Sequence, residues 1–180
     1  LSKKYGHEHE DIWIRNKTKK NKLNESFAPL VPDEWNRKPD TWLSDWDLAE
    51  AMKSYVTRDK KFHFLYPAPI DFAEKELSGK CAHSNLCNYH YGDLARKYNK
   101  FAAIFNTDPH DEPGQHWISL FIDLRKGEIY YYDSVGDPPP NEIKQLLNRF
   151  KEEGDIYFKK NGRNKKVIIK INRKKHQEGG

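Results

Sequence analysis

Cysteine is scarce: Cys81 and Cys87 are the only two in 180 residues. Two thiols in a lysine-rich chain exclude the multi-disulfide scaffold of small secreted domains and point to a reducing compartment. Long apolar runs are missing as well. No segment approaches the roughly 20 consecutive apolar residues of a membrane span, and no charged-then-apolar leader precedes the folded part. Internal repeats are absent. Gly136 and Gly162 stand singly, outside any phosphate-cradling or dinucleotide pattern, so nothing assigns a nucleotide cofactor.

Charge and aromatic rings fill the space these absences leave. Charged residues make up 33% of the chain and apolar ones 36%, so the core must be concentrated. Aromatics, at 13%, supply much of the available burial. The length suits one domain, or one domain with an arm. Residues 1–39 read as a polar, mostly basic N-terminal arm, and residues 40–180 as the folded domain. The net charge of +5 is uneven, with a basic lead-in from Lys3 to Lys22 and nine basic residues without an acid from Lys159 to Lys175. That second tract is either a footprint for nucleic acid or another acidic partner, or a set of solvated edges and loops. It lacks regular interleaving of aromatics, which gives single-strand binding little support.

Periodicity places the elements. Ser44 and Asp47 form a capping-box pattern. Leu48, Ala51, Met52 and Tyr55 then follow at one-face helical spacing. Phe62 to Tyr66 reads as a short strand ended by Pro67 and Pro69. Residues 74–100 are ambiguous, apart from a short helix near Asp93 to Tyr98. Phe101 to Asn106 is a strand, and Trp117 to Leu124 reads as a central strand covered on both faces. Arg125 to Gly127 turns the chain into a return strand, Glu128 to Tyr132. A second helix starts at Asp137-Pro138, buries Ile143, Leu146, Leu147 and Phe150, and stops at Gly154. Val167 to Ile171 is the last strand. The expected class is α+β, a mostly antiparallel central sheet flanked by helices.

His116 enters one strand and Asp133 leaves the next. A neutral imidazole accepts a proton near pH 7, and a carboxylate fixes its tautomer. Strict hairpin pairing leaves the two residues a few positions out of register, so twist or a longer loop must bring them together. Alone, a histidine at a strand mouth is commonly structural, and Asp133-Ser134 is a common turn start. Cys81, His83, Cys87 and His90 offer four zinc-type ligands in a short stretch, without the spacing of a standard finger. The bland alternative is two buried thiols and two loop histidines. His7 and His9, with Glu8 and Glu10, read as an exposed polar arm.

Several segments, in order, carry a family likeness. Trp42-Leu-Ser-Asp-Trp-Asp47, Pro69-Ile-Asp-Phe72, Gly114-Gln-His116-Trp117 and Tyr132-Asp133-Ser134-Val-Gly136 with Pro138-Pro-Pro140 resemble the adenain and ubiquitin-like-protein (SUMO) protease superfamily. The likeness is closest to maturation cysteine proteases of large DNA viruses, and Phe105 to Asp111 adds to it. It covers residues 40–180 and implies a papain-like fold. It makes His116 the general base, Asp133 its orienting acid and Gln177 the oxyanion donor. Trp117 and Trp42 would match an aromatic clamp around a narrow diglycine tunnel, with Asp45 near its mouth. The plain reading of both tryptophans is core packing.

The resemblance implies no cofactor, and protein substrates cut after Gly-Gly-type sites in viral structural polyproteins or ubiquitin-like tails. It implies a role in virion maturation, in the virion or in the host cytoplasm or viral factory. The nucleophilic Cys of this family would fall roughly three residues past Gly180, and Cys81 and Cys87 lie in the wrong segment for it. The chain, which starts at Leu1, is therefore expected to be part of a longer enzyme and inactive by itself. A shortened inert form, or cleavage after Gly179-Gly180, are the other readings of that ending. The alternative function is a non-catalytic capsid or nucleic-acid interaction module on the same scaffold. Acyl transfer also stays open, because fold does not fix chemistry.

Overall fold

The structure, a computed structural model, describes residues 33–82 and 84–177. The basic lead-in, His7, His9, His83 and Gly179-Gly180 lie outside the described residues. The chain divides after Arg58 into two compact units, each described by itself.

In the first unit, helix α1 spans Asp45–Arg58. Its start is the reciprocal cap read from the sequence. Asp47 N–H donates to Ser44 Oγ at 3.2 Å, while Ser44 N–H and Oγ–H donate to Asp47 Oδ2 at 2.9 and 2.6 Å. Two orphan amides are satisfied and a carboxylate sits at the positive end of the helix dipole.

The second unit holds a five-stranded sheet ordered β1-β2-β3-β4-β5. The strands are β1 (Phe62–Phe64), β2 (Lys100–Asn106), β3 (Trp117–Asp123), β4 (Glu128–Asp133) and β5 (Ile168–Ile171). Helix α2 (Tyr91–Lys97) precedes β2, and helix α3 (Asn141–Lys160) joins β4 to β5. The α+β expectation holds, with one refinement. The pairs β2–β3 and β3–β4 are antiparallel over seven and six positions, whereas β1–β2 and β4–β5 are parallel over three and four. Both parallel pairs are joined by long connections, as parallel pairing requires.

One face of the sheet carries the core. Phe101, Ala103 and Phe105 on β2, Ile118, Leu120 and Ile122 on β3, and Ile129 and Tyr131 on β4 alternate inward and join α3 residues Ile143, Leu146, Leu147, Phe150 and Phe158. On β3 the other positions are half-buried rather than fully covered, which corrects the expectation of a strand buried on both faces. The second helix is also longer than its sequence suggests. It starts at Asn141, after Pro138 to Pro140, and passes through Gly154 to Lys160. Gly154 is a packing residue: a Cβ there would lie 2.5 Å from Val167 Cγ2 and 3.0 Å from the Tyr91 ring. Its missing side chain lets α3 approach the chain leading into β5.

Beside the core, His63 of β1 shares a 3.1 Å hydrogen bond between Nε2 and the Tyr89 hydroxyl and stacks on Tyr98 with centroids 4.7 Å apart. Burial holds its imidazole below its ordinary pKa. The unfolded chain therefore takes up a proton near about pH 6.5, and the folded protein only at lower pH. This contribution is fully present above that pH and is lost as the pH falls through 6.5 toward the folded value. Unfolding free energy measured by urea titration from pH 7.5 to 5.5 is expected to fall less steeply in His63→Phe than in the parent. Parallel slopes would refute the assignment.

Candidate active site

The loop before β3 and the end of β4 build the site. Ile118 on β3 pairs with Asp133 on β4. Side chains repeat every second residue along a strand, so His116 falls on the face of Ile118 and of Asp133. The two-residue offset seen in the sequence is thus closed by reach along one face. His116 Nε2 lies 2.7 Å from Asp133 Oδ1. Asp133 continues the inward row of Ile129 and Tyr131 and is 3% exposed, whereas the imidazole retains 25% of its side-chain exposure. A buried carboxylate against a half-open imidazole fixes the tautomer. Against a carboxylate, which can only accept, a neutral imidazole donates from Nε2 and keeps its lone pair on Nδ1.

Asp133 is held from several sides. Its Oδ1 also accepts from the Val135 N–H at 2.9 Å. Its own N–H donates to Asn172 Oδ1 at 2.8 Å, and its carbonyl accepts from Asn172 Nδ2 at 2.8 Å. On the His116 side, Thr107 N–H donates to the His116 carbonyl at 2.9 Å, tying the entry loop to the end of β2. Tyr131, two residues before Asp133, has a buried hydroxyl without a hydrogen-bond partner among the described residues. Burial, followed by the nearby Asp133 and Asp137 charges, raises its pKa beyond the ordinary phenol range. Removing an unpartnered buried hydroxyl leaves nothing unsatisfied. Tyr131→Phe is accordingly expected to melt at the same temperature as the parent or higher. A loss of more than about 1 kcal/mol would mean that the hydroxyl is bonded.

Gln177 lies against the same turn. Its Oε1 accepts from Ser134 Oγ–H at 2.8 Å and its N–H donates to the Ser134 carbonyl at 2.9 Å. With Oε1 engaged, the carboxamide NH₂ is the part left to donate elsewhere. Trp117 is half-buried at the start of β3 and, one residue on from His116, belongs to the other face of the strand. Trp42 and Asp45 belong to the first unit. Trp42 is 58% exposed there, and Asp45 Oδ1 accepts from the Trp46 N–H at 2.8 Å.

Among the described residues the zinc-type candidates do not assemble, and His83 lies outside them. Cys81 and Cys87 are joined as a disulfide with Cα atoms 6.3 Å apart, and His90 Nδ1 is 2.9 Å from Glu153 Oε1. This corrects the reading of Cys81 and Cys87 as free thiols. A hairpin bridged at Lys75 and Cys81 and the short 3₁₀ turn Asn85–Asn88 bring the two sulfurs together. Composition alone could not show that proximity. The pairing also removes both residues as nucleophiles. Among the described residues, Asp71, Glu74 and His110 place three possible metal-ligand atoms within 4.8 Å of one another. Asp71 Oδ2 and His110 Nδ1, 2.6 Å apart, form an ion pair in which the carboxylate raises the imidazole pKa.

Asn172 is the site residue the sequence reading missed. Its signal was faint: an asparagine directly after an alternating apolar strand, before a basic run.

Comparison with known proteins shows the family. Residues 71–174 match the C-terminal catalytic domain of the Ulp1 protease family. The matched stretch includes His116, Asp133 and Asn172 but not Gln177, Trp42 or Asp45. Protein R355 of Acanthamoeba polyphaga mimivirus, named as a thiol protease, is 31% identical over 147 residues, covering 79% of this chain and 44% of that protein. The cysteine protease S273R of African swine fever virus (isolate Tick/Malawi/Lil 20-1/1983) is 35% identical over 122 residues, covering 62% of this chain and 44% of its own length. The chain thus spans less than half the length of either relative. The crystal structure of the African swine fever virus pS273R protease shares the fold, with a TM-score of 0.53 at 20% identity over 63% of this chain and 44% of that one. An imidazole and a buried carboxylate in contact, inside a stretch that matches a protease catalytic domain, lead to one assignment: this chain belongs to the Ulp1 protease family.

Proposed function

We propose that this chain carries the base and acid of a cysteine endopeptidase that cleaves after Gly-Gly-type sites in viral structural polyproteins or ubiquitin-like tails. The observation that carries the reading is the 2.7 Å contact between His116 Nε2 and Asp133 Oδ1. Both cysteines of this sequence are paired with each other, so in this reading the nucleophilic thiol is neither of them, and the family resemblance puts it in a segment C-terminal to Gln177.

Each residue then has a step. His116 Nδ1 takes the proton from the cysteine Sγ, and the resulting imidazolium is stabilised by Asp133. The thiolate attacks the scissile carbonyl carbon, and the Gln177 carboxamide with backbone N–H groups stabilises the oxyanion. The imidazolium passes its proton to the leaving amine as the C–N bond breaks, which leaves a thioester. Water, deprotonated by His116, attacks that thioester, and the thiol is restored with release of the carboxylate. The resemblance would give Trp117, the residue after the base, the part of a flat wall that favours glycine at the cleavage site, although its side chain belongs to the other face of β3. A reporter peptide with Gly-Gly before the scissile bond, offered to the full-length protein, should be cleaved, while its Ala-Ala counterpart should not. Cleavage of neither, or of both equally, would sink the substrate assignment.

A further inference from the structure

Where β5 leaves the sheet, its main-chain ladder with β4 gives way to a side chain. Asn172 N–H donates to the Tyr131 carbonyl at 3.2 Å as the last rung. Two residues further along β4, the Asn172 carboxamide takes over. Its Oδ1 accepts from Asp133 N–H and its Nδ2 donates to the Asp133 carbonyl, both at 2.8 Å. Both main-chain polar groups of the acid are thereby held by one planar group. The backbone beneath the carboxylate has little freedom to turn, and Oδ1 stays aligned with His116 Nε2.

The same carboxamide bends the chain that follows. Nδ2 also donates to the Lys174 carbonyl at 3.1 Å, and the returning segment lands on Ser134, whose carbonyl accepts from the His176 and Gln177 N–H groups at 2.7 and 2.9 Å. Gly136 (φ 82°) makes room, since a Cβ there would lie 3.1 Å from the Arg173 carbonyl oxygen. The acid turn and the Gln177 segment are therefore joined through one residue.

We propose that Asn172 is a positioning residue: its carboxamide fixes Asp133 against His116 and, through the same bend, docks the Gln177 segment on the acid turn. The inference rests on the protease reading for its kinetic consequence but not for its structural one. An aliphatic side chain offers neither bond. Aspartate keeps the shape and the acceptor, yet loses both donor contacts.

The test uses the full-length protein with Asn172→Ala and Asn172→Asp. Asn172→Ala is expected to lower kcat about 10–100-fold, as a misplaced catalytic group does, with KM little changed. The downfield proton NMR resonance of the His116 Nε2–H bonded to Asp133 should be lost or broadened. Asn172→Asp should keep the resonance and show an intermediate kcat, which covers the case in which the alanine variant fails to fold. An unchanged kcat, a rise confined to KM, or an undisturbed resonance in a folded Asn172→Ala protein would overturn the assignment. If the parent hydrolyses nothing but the resonance is lost on substitution, the positioning role stands and the protease reading falls. If the parent is active and Asn172→Ala equally so, the reverse holds.

Discussion

His116→Ala is expected to lower kcat/KM for hydrolysis of a Gly-Gly peptide by the full-length protein about 10²–10⁴-fold. On the proposed mechanism the loss should appear in kcat, because there the imidazole acts on the thiol and the leaving amine rather than on bound substrate. Asp133→Asn should lose much of the same factor by the same route. An amide can accept from Nε2–H but cannot balance the imidazolium that forms at 2.7 Å. Residues that work as one unit are strongly non-additive. The double variant should therefore be scarcely slower than His116→Ala alone. Multiplying losses in steady-state assays would mean that the two side chains act independently.

Phe150→Ala is expected to cost about 3–5 kcal/mol of unfolding free energy in the second unit. Phe150 is fully buried on α3, with its ring 6.0 Å from that of Phe101 on β2. The Arg149 guanidinium lies over the same ring, 5.0 Å from its centroid. Truncation leaves a cavity between helix and sheet that neither element can close without sliding. Phe150→Leu, which keeps most of the volume, should cost about 1.5 kcal/mol or less. Urea unfolding followed by tryptophan fluorescence distinguishes the pair. Equal costs would mean that the helix relaxes onto the sheet. The site would feel the larger loss, since α3 carries the chain from β4, which ends at Asp133, to β5, which delivers Asn172.

Much of this was legible from side-chain order alone. The capping pair Ser44 and Asp47 announces α1 because both partners lie within one turn. Alternation along Ile129, Tyr131 and Asp133 sets the acid facing inward, and a period of two puts His116 on the same face as Ile118. Local signals misled where the deciding contact is remote. Gly154 reads as a helix stop because glycine commonly ends helices, but its purpose here is set by Val167, thirteen residues on and brought close only by the crossover. Cys81 and Cys87 read as free thiols because composition speaks of compartments, whereas pairing depends on a hairpin and a turn in a stretch with no clear period. The β4–α3–β5 order did contain the parallel pairing, since a helix-long connection between neighbouring strands leaves them parallel. Asn172 stayed hidden for the opposite reason: its partners are the main-chain atoms of Asp133, and main-chain atoms leave no mark in a sequence.

The most direct measurement is covalent labelling of the full-length protein with a peptide ending in Gly-Gly and a thiol-reactive electrophile, mapped by mass spectrometry in the parent and in His116→Ala. The account predicts a single adduct on a cysteine C-terminal to Gln177, formed in the parent and suppressed in the variant. Adducts on Cys81 or Cys87, no adduct, or equal labelling of both proteins would contradict it.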